Sequence, residues 1–191
     1  MRITKIALLA LFGFIFSSCT TSFHSLFTDK DRIFEPVLAG AWQDKEQKAT
    51  FTLRWFAEGK LYSLNTEMKD QPAAPGEFNA VFGTVGKHRF LEIVPRRPSN
   101  IGAKGFYGGH FLQLYSFWKV ELDGDVLTLA PLNYQWVEAM DKAKKLDIKH
   151  EQQEGGFIVL TASTEELKAF VLKYADDKSA FSGGLTLERK K

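Results

Sequence analysis

From Pro36 onward, apolar and polar residues alternate with the two-residue period of strands that bury one face. In "TFTLRWF", Phe51, Leu53 and Trp55 share one face, and Thr52 and Arg54 the other. A loop at Glu58-Gly59 sets Trp55 opposite Tyr62 and Leu53 opposite Leu64, whereas a three-residue turn with Gly59 as a bulge shifts that register by one. A second hairpin turning at Val85-Gly86 sets Ala80 against Leu91 and Phe78 against Ile93. The third, in "HFLQLYSFWKVELDGDVLTLA", carries Asp123-Gly124, a pair suited to the positive φ angles of a type I′ turn. That loop predicts Val120 opposite Leu127 and Trp118 opposite Leu129. Phe111 to Leu122 is long for a strand, as expected of one that curves around a barrel or bends between two sheets.

The period changes in the second half. Leu132, Trp136, Met140 and Ala143 fall on one face of a helix predicted from about Asn133 to Lys145, with lysines toward its C-terminal end. Asp147 to Gln153 is polar and weakly strand-like, and Gly155-Gly156 turns the chain into a buried strand, "FIVLT". In "STEELKAFVLKY", Ser163 and Glu166 form a capping box, and Leu167, Phe170, Val171 and Tyr174 make the apolar stripe of a second helix. Gly183-Gly184 reverses the chain into a short last strand, "LTLER".

Together these segments predict a mainly β fold with two helices, an antiparallel meander of about eight or nine strands, either a closed barrel or a two-sheet sandwich. The strand start Gly40-Ala41-Trp42 resembles the Gly-x-Trp opening of the lipocalin superfamily. That resemblance implies a lipocalin-like β-barrel in which Trp42 packs beneath an arginine from near the C-terminal end. Arg189 is the candidate partner, as a structural pair and not a catalytic one. A helix followed by a short final strand also looks like the lipocalin ending; the Thr-Asp-x-x-Tyr loop motif is absent, and the helix around Trp136 is an additional element. The stretch Phe157 to Phe181 resembles the C-terminal pattern of small, uncharacterised bacterial lipoproteins, a resemblance that implies no activity.

The N-terminus follows a different logic. Arg2 and Lys5 form a positive region before the apolar stretch Ile6 to Phe16, which has the length of a signal-peptide core and falls short of the roughly 20 residues a spanning helix needs. Phe16-Ser17-Ser18-Cys19 then resembles a bacterial lipobox, with two small residues beside the only cysteine of the chain. The resemblance implies cleavage before Cys19 and a lipid on its sulfur, which anchors the protein to a membrane. Residues 1–18 are then a signal peptide, 19–35 a lipid-anchored tether and 36–191 a single β-rich domain. Thr20 stands where many such proteins carry an inner-membrane retention aspartate, so the expected location is the bacterial cell envelope, at the outer membrane facing the periplasm. The alternative is an ordinary secretory signal followed by a free thiol, unusual where cysteines generally pair.

Cleavage also changes the charge. Loss of Arg2 and Lys5 leaves 23 basic side chains against 23 acidic ones, and a balanced domain does not favour nucleic acid as a partner. The 17 phenylalanines predict a large aromatic interior. No enzyme motif emerges. His24, His88, His110 and His150 form no H-E-x-x-H pair, and no second cysteine can join Cys19 as a soft ligand. A G-x-S-x-G elbow is missing, and "GAKGFYGG", Gly102 to Gly109, lacks the Lys-Ser/Thr of a P-loop. No cofactor or metal is expected.

The long aperiodic connection Pro95 to His110 reads either as a binding loop or as a solvated glycine-rich segment. As a binding loop, it offers Arg96 and Arg97 to an acidic head group and Phe106 and Tyr107 as a cover for an apolar mouth. Two functions follow: a barrel holding a small apolar or amphipathic ligand, or a non-enzymatic envelope module that docks a protein.

Overall fold

A computed structural model describes residues 19–70, 76–97, 110 and 112–191. The strands are β1 (Thr21–Ser22), β2 (Gly40–Asp44), β3 (Ala49–Phe56), β4 (Leu61–Met68), β5 (Gly76–Val85), β6 (His88–Pro95), β7 (Tyr115–Asp123), β8 (Val126–Pro131), β9 (His150–Gln152), β10 (Ile158–Leu160) and β11 (Leu185–Arg189). Among the described residues lie the helices α1 (Tyr134–Lys142) and α2 (Thr164–Tyr174), and a 3-10 turn spans Pro36–Leu38. β2 to β8 pair in chain order, and β11 bridges β8 back to β2. This eight-stranded antiparallel barrel is closed, because β6 also pairs with β7, and the two-sheet sandwich is excluded.

The first hairpin has the predicted register, with Trp55 opposite Tyr62 and Leu53 opposite Leu64. The other two differ by two residues. Ala80 faces Ile93 and Phe78 faces Pro95, while Val120 faces Leu129 and Trp118 faces Pro131. The loops are Gly86-Lys87 and Gly124-Asp125, with φ of 59° and 56° at their glycines. Positive φ at the first loop residue alone is the type II′ pattern, which places glycine first and not second. A slip of two preserves the pleat, so Trp118, Val120, Leu127 and Leu129 still point into the barrel. The strand expected from Phe111 begins only at Tyr115.

Beyond the rim of β8, β1 continues beside β7, pairing Thr21 with Ser116, and then carries β10 and β9. The expected capping box of α2 is present, and Leu167, Phe170 and Val171 are buried beneath it. α1 begins one residue after its Asn133 cap and buries Val137; of the face predicted from Leu132 to Ala143, Leu132 is buried and Trp136 packs half-buried against the core, whereas Ala143 is exposed. The reason is that Leu132 precedes the helix and bridges Phe181, so it does not set the helical phase.

This outer layer explains a contrast among the strands. β3 and β4 alternate buried and partly exposed residues, as one-sided strands do. In β5 and β6 the buried residues run consecutively from Ala80 to Gly83 and from Phe90 to Ile93. Their inner positions join the barrel core around Trp42, Phe51 and Leu91, and their outer positions, Val81 and Phe90, join a second core with Phe117, Leu160 and Phe170. Strands covered on both faces read as continuous apolar runs.

Residues 19–35 lie along this outer surface as a strap. Phe23 N–H donates to Leu160 O at 2.9 Å, Thr164 Oγ1 to Ser25 O at 2.7 Å, and Ile33 N–H to Phe82 O at 2.9 Å. Leu26 and Phe27 are buried under α2 and its neighbours, and Lys168 pairs with Asp31 at 2.7 Å.

Candidate functional site

The strap runs from one end of the barrel to the other, and the two ends differ. At the far end the 3-10 turn pushes Leu38, fully buried, between the strand ends. Trp42 Nε1–H donates to Leu38 O at 3.0 Å, and Tyr62 OH donates to Glu35 O at 2.8 Å. Arg189, opposite Trp42 across the β2–β11 pairing, holds its guanidinium carbon 4.2 Å from the Trp42 ring centroid. Its nitrogens donate to Ala39 O, Val37 O and Asp125 Oδ1. Gly40 has φ of 134°, and a Cβ there would lie 2.8 Å from Arg189 Nη1, so the first residue of Gly-x-Trp must lack a side chain for the arginine to lie over the barrel end. Trp42 and Arg189 thus form a lid fastened by ring stacking and carbonyl contacts.

Among the described residues, the near end is open. A cavity of about 260 Å3 enters the barrel there, walled by Phe51, Leu64, Phe78, Ile93, Trp118 and Leu185, with Cys19, Thr66 and Ser116 as its smaller members. Alternation positions these side chains: Phe51, Leu64, Phe78 and Ile93 are inward residues of successive strands. The polar members are neutral. Ser116 Oγ accepts from Trp118 Nε1–H at 3.0 Å. No charged side chain stands among the described residues of the wall. An apolar interior with a few neutral polar groups suits an uncharged, hydrocarbon-like ligand.

Cys19 contributes to this wall, and its backbone bridges Asn133. Burial pushes its thiol up to about 12, so an unmodified Cys19 stays protonated and poorly nucleophilic at neutral pH. Arg96 lies elsewhere. It donates to Ser63 Oγ at 3.0 Å and approaches Glu77 at 3.7 Å, on the outer face of the barrel. Pro95 keeps the inward phase of Ile93, so the next residue points out. Arg97 is half-buried and is not part of the described cavity wall. Phe106 and Tyr107 lie outside the described residues.

A residue missed by sequence reading is Glu92, 3% exposed on the outer face of β6. Its carboxylate accepts from Leu26 N–H and from Ser25 Oγ–H at 2.9 Å, pinning the strap to the barrel wall. Burial pushes its pKa up to about 7 against these hydrogen bonds, which favour the charged form. The signal lay in "FLEIV", a charge inside an apolar run. Among the described residues, no group of three or more His, Cys, Asp or Glu side chains is arranged to hold a metal. No family model, curated protein or solved structure matches the chain.

Proposed function

We propose that this protein is a lipid-anchored barrel of the bacterial cell envelope that holds a small apolar or amphipathic ligand at its open end. The observation that carries this reading is the apolar cavity with Cys19, the lipidation candidate, in its wall. At roughly 30 Å3 for each water-sized group, about 260 Å3 accommodates about nine such groups, enough for a medium-length hydrocarbon. The lipobox-like Phe16 to Cys19 and the missing retention aspartate at position 20 favour the outer membrane facing the periplasm.

Intact mass of the membrane-extracted protein tests the anchor: a diacylglyceryl group on Cys19 is expected, and an unmodified thiol overturns it. Native mass spectrometry of the same sample tests the ligand, with a co-purified hydrocarbon or amphiphile as the expected result. A second reading, an envelope module that docks a protein, draws on Ile33, Phe34, Val37 and Phe56, which are exposed around the closed end. Absence of saturable binding across a panel of alcohols and fatty acids would favour it.

A further inference from the structure

We infer that the cavity is occupied by one ester-linked acyl chain of the diacylglyceryl group carried on the Cys19 sulfur, so that the anchored protein is its own ligand complex. This rests on the lipid-anchored reading above and goes beyond it by naming the occupant.

Three features of the open end carry it. The first is the absence of slack. Thr20 is 1% exposed and its N–H donates to Leu132 O at 2.9 Å, and Thr21 is already paired with Ser116 and Val159. One residue after the modified sulfur the chain is fixed in the sheet beside β7, so Cys19 has about one residue's reach, roughly 3.5 Å, to leave its place. The second is direction. Cys19 forms part of the cavity wall, so a thioether on its sulfur begins at the cavity and its chains must enter it or run out through the mouth.

The third is chemistry. The wall presents Phe51, Leu64, Phe78, Ile93 and Trp118 with no charge among its described residues, a surface for hydrocarbon and not for a head group. Its volume takes about nine methylene-sized groups, more than half of one common acyl chain and far less than two. One chain therefore enters and the others stay in the bilayer. Covalent attachment makes entry intramolecular, at an effective concentration no free ligand reaches. The mouth is consequently held against the membrane, and an external ligand must displace the tethered chain.

The test compares the lipidated full-length protein in bilayer discs with the same protein after a lipase has removed its ester-linked chains. The probe is 10-bromodecanoic acid, whose terminal bromine quenches tryptophan on contact, and Trp118 in the cavity wall reports its entry. Intact mass confirms the lipid before treatment and its loss afterwards. The deacylated protein should bind the probe saturably, and the lipidated protein at least tenfold more weakly. Equal affinity in both forms overturns the inference while leaving the binding barrel intact. No binding in either form overturns the cavity-ligand reading itself, and an unmodified Cys19 in the starting sample overturns the anchor; both take this inference with them.

Discussion

At one end of the barrel Leu38, Trp42 and Arg189 fill the space between the strands, whereas at the other the same strands leave about 260 Å3 between Phe51, Trp118 and Leu185. The inward side chains at the two ends are similar in kind, large aromatics and leucines supplied by alternation. What differs, among the described residues, is the chain that crosses the opening. The 3-10 turn Pro36–Leu38 passes across the far end and inserts a leucine, while Cys19 and Thr20 pass the rim of the near end on their way to β1. A small barrel is filled or hollow according to its end segments as much as its strands.

The comparison breaks most readily at Trp42. Trp42→Ala should cost about 5 kcal/mol, because a fully buried ring is lost from a closed end that cannot collapse. Trp118→Ala should cost less, about 3 kcal/mol, since the vacated space merges with an existing cavity. Denaturant melts of the two variants side by side check this, and equal losses would mean the two ends are packed alike.

The strap joining the ends can be probed through pH. Burial raises the folded pKa of Glu92 to about 7 from its ordinary 4.5, so its stabilising contribution is complete below about pH 4.5 and is lost as pH rises through about 7. Glu92→Gln removes that dependence while retaining an acceptor for Leu26 N–H. The stability difference between Glu92→Gln and wild type should therefore grow in the variant's favour by about 2–3 kcal/mol between pH 4.5 and 8, at about 1.36 kcal/mol per pKa unit. A constant difference across that interval would show that the carboxylate is not held in the buried, proton-retaining state.

Smaller effects sharpen the picture. Arg189→Ala should destabilise by about 1–2 kcal/mol through the lost ring contact and the carbonyls it leaves unmet, and should leave cavity binding unchanged. Arg96→Ala should change stability by less than about 0.5 kcal/mol, because its partners are exposed, and should not alter the affinity of an acidic amphiphile. Calorimetric titration with a fatty acid checks both; a weakened acid at Arg96→Ala would bring that side chain back to the mouth.

Much of the fold was legible because alternation is local. The facing of Phe51, Leu53, Trp118 and Leu129 follows from the two-residue period and survived a two-residue error in hairpin register. The capping box of α2 was readable in four residues. The same rule, applied one residue further, places Pro95 inward and Arg96 outward, toward Ser63 and Glu77. Glu92 was visible as an anomaly, although its partners, Ser25 and Leu26, stand 67 and 66 residues away and no local pattern names them.

By itself the sequence determined the main run of barrel strands, the faces they bury, where the helices begin, and that Cys19 is the lone thiol behind an apolar stretch. Only the tertiary structure decided that β6 meets β7 and β2 meets β11, that β5 and β6 are covered on both faces, and that Leu38 closes one end while Cys19 borders a cavity at the other. The physical reason is range. Pleat, capping and turn preference act over two to four neighbouring residues, whereas closure and the space left inside depend on pairings between distant segments that share no local signal.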